Sequence, residues 1–114
     1  MQDLEISEYN GEGYMPLVTC ENWRIAIINY ACRFDEACFV QMERHLLTDE
    51  VFMLASGSAT LVVGEKQKHY QMEKRKAYNV KKTVWHHIFV SKNACVIVFE
   101  KDSTSKENTE YLKL

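Results

Sequence analysis

The side chains in this chain best suited to chemistry are Glu43, His45 and Glu50, closely spaced, and a pair, His86 and His87, farther on. Imidazoles and carboxylates exchange protons near neutral pH and ligate divalent cations, so what they do depends on whether they meet and how far water reaches them. In an extended segment from Cys38 to His45, side chains alternate faces. Phe39, Gln41, Glu43 and His45 then share one face, and Val40 and Met42 the other. On a solvent-facing strand such a polar row carries no meaning, and a period of two does not say which face is interior. The surrounding elements must decide.

Those elements read as strands. Short runs rich in Val, Ile, Phe, Tyr and Thr recur at close spacing, and no stretch of a dozen residues carries a 3.6-residue apolar stripe. Strands are expected over Trp23 to Tyr30, Ala37 to Arg44, Val51 to Ala55, Ser58 to Val63, Lys68 to Met72, Lys76 to Val80, Trp85 to Ser91 and Cys95 to Glu100. So many strands in 114 residues favour an all-β barrel or double-sheet jelly roll, which limits exposed edges. The chain is expected to be one domain: an arm over residues 1–16, a barrel over 17–102 and a C-terminal segment over 103–114.

Around the polar row, strand, turn, strand, Gly turn and strand follow in order. Glu43 and His45 flank one residue, four residues separate His45 from Glu50, and six separate Glu50 from Gly57. With these spacings the segment resembles the first motif of the cupin superfamily, a glycine, an HxH pair, a glutamate and a closing glycine. Ala37 replaces the opening glycine and Glu43 the first histidine. The second cupin motif, laid on Arg75 to Val90, places Lys81 at its proline, Thr83 at its second glycine, Val90 at its asparagine and His86 at its histidine. Of these, only His86 matches. The resemblance covers residues 37–100 and implies a cupin-type double-stranded β-helix.

The resemblance further implies that Glu43, His45, Glu50 and His86 hold a metal inside the barrel. Two imidazoles and two carboxylates suit a divalent first-row ion: manganese, iron, nickel and zinc all accept such a set. Two carboxylates inside a small barrel are costly unless one is protonated, paired or bound to a cation. Glu43 reaching solvent or pairing with Arg44, with His86 bonded to a backbone carbonyl, is the alternative. His86 and His87 must face opposite sides of their strand, and the choice of His86 rests on the motif. Gln41, Phe52, Tyr78 and Trp85 are candidate pocket walls, and His69 reads as a surface or edge residue.

Composition narrows the function class. Apolar residues make up 46% and charged residues 26%, ordinary globular values, and the net charge of −2 argues against nucleic acid as a partner. The acidic start lacks a secretion signal and no apolar run is long enough to cross a membrane, so a cytoplasmic protein without membrane contact is expected. Cys20, Cys32, Cys38 and Cys95 lack CxxC spacing and read as reduced, mostly buried small hydrophobes. The expected partners are a small-molecule ligand and a second copy in a homodimer, the arm 1–16 supplying an exchanged strand. As an enzyme, the chain would act on a small polar metabolite such as a sugar derivative or organic acid, with Glu43 the candidate general base if metal is absent. The alternative is a non-catalytic small-molecule-binding cupin.

Overall fold

The computed structural model describes residues 3–114. Ten strands, β1 (Gly13–Cys20), β2 (Trp23–Asn29), β3 (Gln41–His45), β4 (Glu50–Ser56), β5 (Ala59–Val63), β6 (Lys68–Gln71), β7 (Tyr78–Val80), β8 (His86–Val90), β9 (Cys95–Lys101) and β10 (Thr109–Lys113), are joined by turns and three short 3-10 segments. They form two five-stranded antiparallel sheets, ordered β1-β2-β9-β4-β7 and β10-β3-β8-β5-β6, packed as a jelly-roll barrel. β1 begins inside the segment expected as an arm, and β10 lies within the C-terminal segment. β1 pairs with β2, and β10 with β3.

Alternation explains the burial. In β9, Val96, Val98 and Glu100 point inward while Ile97 and Phe99 point outward, and in β8 His86, Ile88 and Val90 point inward. The inward residues of both sheets make the main core, with Ala26, Phe52, Leu61 and Val98 among them. A smaller cluster, Met42, Val62 and Phe89, sits on the opposite face of the second sheet, covered by Phe39 and Trp85. Among the described residues, the outer face of the first sheet has no such buried cluster: Ile25, Ile27, Ile97, Phe99, Val51 and Met53 are in neighbouring register there, mostly half-buried, and Trp23 is 50% exposed beside them.

The strand expected over Ala37 to Arg44 begins four residues late. Glu36–Cys38 forms a 3-10 turn, because the Asp35 carboxylate accepts from the Ala37 amide and pulls the chain out of extension, so β3 starts only at Gln41. The cysteines are also corrected. Cys20 and Cys32 are exposed and Cys38 and Cys95 half-buried, since none of them falls on an inward face of the core.

Gly57 closes the β4–β5 turn with φ at +69°, where a Cβ would lie 2.6 Å from the Ala94 Cα. Both the left-handed backbone and the missing space demand glycine. This turn fixes the register that puts Glu50 at the far end of β4 and its side chain inside the barrel.

Candidate metal centre

Four side chains meet at one end of the barrel. Glu43 and His45 project from β3, Glu50 from the first position of β4 and His86 from the first position of β8. One donor atom from each falls within 4.8 Å of the others. Glu50 Oε1 lies 3.0 Å from His45 Nε2 and 3.1 Å from His86 Nε2, while Glu43 Oε1 lies 3.9 and 4.0 Å from the same nitrogens. Donors bound at about 2.1 Å to a common ion stand roughly 3 to 4 Å apart, so this spread fits a shared cation.

The far side of each imidazole fixes its tautomer. His86 Nδ1 lies 3.0 Å from the Val84 carbonyl, which can only accept. His45 Nδ1 lies 3.0 Å from Thr109 Oγ1, whose own proton goes to the Ser105 carbonyl at 2.6 Å, so the threonine oxygen accepts as well. Both Nδ1 atoms therefore carry protons and donate. Each Nε2 then faces Glu50 either as a protonated donor or as a free lone pair, and the latter is the form that metal-bound histidines take when a carbonyl or hydroxyl orients them.

The electrostatics follow from burial and these contacts. Burial by itself would raise the Glu50 carboxyl, but hydrogen bonds from His45 and His86, with their positive charge, hold it below the usual carboxylate range. Burial likewise lowers both histidines, and Glu50 outweighs it through a hydrogen bond and its charge, so His45 and His86 are raised. His87 points the other way, 3.2 Å from the Arg33 carbonyl and stacked 5.0 Å from Phe39, and burial pushes it down to about 4.

The cluster opens into a cavity of ≈ 250 Å³ with Phe34, Phe52 and Ile88 on its apolar side. A second polar group faces the first across it. Glu100, only 2% exposed, is the register partner of Glu50, and it accepts from the Tyr14 hydroxyl and from Arg24 Nε at 3.2 Å. Burial, then the negative charge of Glu50, raises Glu100 despite Tyr14 and Arg24, so two neighbouring carboxyls are driven apart in acidity. Tyr14 is pushed above the ordinary phenol range, first by burial and then by Glu100.

Similar solved structures decide the architecture. They include Streptomyces PAC13 with uridine (TM-score 0.70, 10% identity, covering 100% of this chain and 93% of that one) and a cupin-2 domain protein from Shewanella frigidimarina (0.65, 17%, 82% and 84%). The chain has the cupin fold. An iron(II) form of HppE shares it (0.60, 9%), this chain spanning 50% of that one, and Pac13 is a nucleoside dehydratase. No protein-family model and no curated protein sequence matches the chain.

Within this cupin barrel Glu43, His45, Glu50 and His86 converge, and Phe52 lines the same cavity. The other three candidate walls stand elsewhere. Gln41 borders a smaller neighbouring cavity, Tyr78 accepts from the Glu73 amide at 2.9 Å beside β4, and Trp85 lies outside the second sheet under the Arg44 guanidinium, 4.4 Å from its ring centre. Trp85 precedes β8, so strand alternation did not govern it. His69 is exposed on the edge strand β6. Tyr14, Arg24, Glu100 and Thr109 were not singled out from sequence. For Glu100 and Arg24 the signal was present: Glu100 continues the inward face of Val96 and Val98, and Arg24 that of Ala26 and Ile28, so a charged group was predictable on an apolar face.

Proposed function

We propose that this cupin-fold chain is a metal-dependent enzyme acting on a small polar metabolite, with Glu43, His45, Glu50 and His86 holding a divalent ion. The observation that carries the reading is the pair of committed Nδ1 protons, which leaves two Nε2 atoms aimed at one point beside two carboxylates. When bound, such an ion supplies Lewis acidity toward substrate oxygens. Manganese, iron, nickel or zinc satisfies the donor set, and the carboxylate share favours iron or manganese over zinc. The chain's own residues do the rest. Tyr14, Arg24 and Glu100 supply polar contacts on the opposite wall of the cavity, and only without an ion would Glu43, the least buried of the four, be the candidate general base. The cavity volume is below the roughly 300–1,000 Å³ of drug-sized sites, which supports a small substrate.

A metal-free binding module is the second reading. One observation favours it: among the described residues no buried side-chain nitrogen or oxygen lacks a hydrogen-bond partner, so the cluster is satisfied without an ion. Metal analysis of protein purified without chelator separates the two. About one equivalent in the parent, lost in His45→Ala and His86→Ala, is expected. Absence of metal from the parent would remove the metal-dependent form, and a thermal-shift screen of metabolites would then look for a ligand recovered unchanged.

The partner proposed beside the small molecule is a second copy of the chain. The uncovered outer face of the first sheet supports this, because a contiguous apolar face rimmed by polar residues marks an association surface.

A further inference from the structure

Away from the Glu43–His45–Glu50–His86 cluster, two cysteine thiols meet at close range. Cys32 Sγ and Cys38 Sγ lie 2.6 Å apart, inside the roughly 3.5–4.0 Å at which non-bonded carbon atoms rest. Two successive 3-10 turns bring them together. Cys32–Phe34 and Glu36–Cys38 flank Asp35, whose carboxylate accepts from the Ala37 amide at 2.9 Å and from the Tyr30 hydroxyl at 2.5 Å. The Cys38 amide closes the ring on the Asp35 carbonyl at 2.9 Å. The sulfurs therefore meet because the backbone between them is already curled, and a covalent bond between them would require little rearrangement.

The ring is also part of the cavity. Phe34, lying between the two cysteines, is 4% exposed and forms cavity wall, and its neighbour Arg33 is an exposed lining residue. The Arg33 carbonyl also meets His87, next to the cluster residue His86.

We propose that Cys32 and Cys38 form a reversible disulfide by exchange with a low-molecular-weight disulfide, and that this bond locks Phe34 into the cavity wall. Cys32, the more exposed sulfur, attacks first as its thiolate, giving a mixed disulfide and releasing one small thiol. Cys38 then loses its proton to solvent and attacks the Cys32 sulfur. The protein disulfide forms and the second small thiol leaves, so two protein thiols are oxidised while one small disulfide is reduced. The proposal is independent of any metal in the barrel.

The test uses the full-length protein equilibrated with oxidised glutathione. Titratable thiols should fall by two of the four present, and peptide mapping should show the segment spanning residues 32–38 lighter by two hydrogens, with both changes reversed by dithiothreitol. Cys38→Ser should stop at a mixed disulfide on Cys32. Hydrogen exchange of the Phe34 and Asp35 amides, which donate to the Ala31 and Cys32 carbonyls, should slow several-fold on oxidation. All four thiols remaining, a stable mixed disulfide on Cys32 in the unaltered protein, or a bond to Cys20 or Cys95 would overturn the pairing. Unchanged exchange in the oxidised protein would overturn the locking of Phe34.

Discussion

Replacing Glu50 with glutamine keeps the shape of the side chain and removes its charge from between two imidazoles. In protein stripped of metal, the wild-type carboxylate accepts from His45 and His86 at 3.0 and 3.1 Å in a buried setting. Breaking a buried ion pair by removing one partner costs about 3–5 kcal/mol, so Glu50→Gln should lose about that much when both histidines are protonated. The pH dependence is the sharper part. His45 and His86 are raised above their unfolded value of about 6.5, so their contribution is fully present below that value and fades as pH rises through the folded values. Glu50, held low, contributes at every pH above its unfolded range and is lost only in stronger acid. In the glutamine variant burial is left to dominate, both histidines fall below about 6.5, and acid now destabilises the fold. The stability gap between parent and variant should therefore widen as pH falls from about 8 to about 5.5, by at most about 2.7 kcal/mol per pH unit if both protons are involved. Urea unfolding in chelator at a series of pH values measures it. A gap that stays constant, or narrows on acidification, would refute the assigned protonation states.

Three further outcomes are expected. Thr109→Val removes the acceptor that orients His45, and metal affinity should drop about 10–100-fold in chelator competition, with Thr109→Ser close to the parent. Thr83→Gly should raise the urea midpoint by the equivalent of up to about 1 kcal/mol, because a β-branched residue held at φ +70° costs about 1–2 kcal/mol and glycine returns part of that as unfolded-state entropy. Ile97→Glu, placed between Ile27 and Met53 on the outer face of the first sheet, should convert a dimer to a folded monomer in sedimentation. A parent that already sediments as a monomer would remove the homodimer.

Thr83 also shows why the site was only partly legible. The first motif could be read because its spacing is enforced by geometry: Gly57 has a left-handed backbone and no room for a Cβ, so the hairpin kept its signature. At the position where the second motif has a glycine, Thr83 holds a left-handed backbone at φ +70°, so the turn is present without its sequence mark and His86 stands alone. The strands themselves followed from alternation. Partners across the barrel did not, since Tyr14 meets Glu100 and His45 meets Thr109 only after β1 and β10 have joined their sheets. The Cys32–Cys38 approach was hidden for a related reason, because two 3-10 turns bring together residues whose spacing carries no motif.

β3 is joined to β10 along its whole length but to β8 through a single register pair, Glu43 with His86. The β3–β10 ribbon is held to the body of the barrel by that rung, by the Thr83 amide donating to the His45 carbonyl at 2.7 Å and by Met42 packed with Val62 and Phe89. It carries Glu43, His45 and Thr109, while Glu50 and His86 stay with the body, so parting this seam would split the donor set into halves. Whatever bridges the four side chains therefore adds a further tie across the seam, visible as amide exchange along β3 and β10 that slows when the site fills.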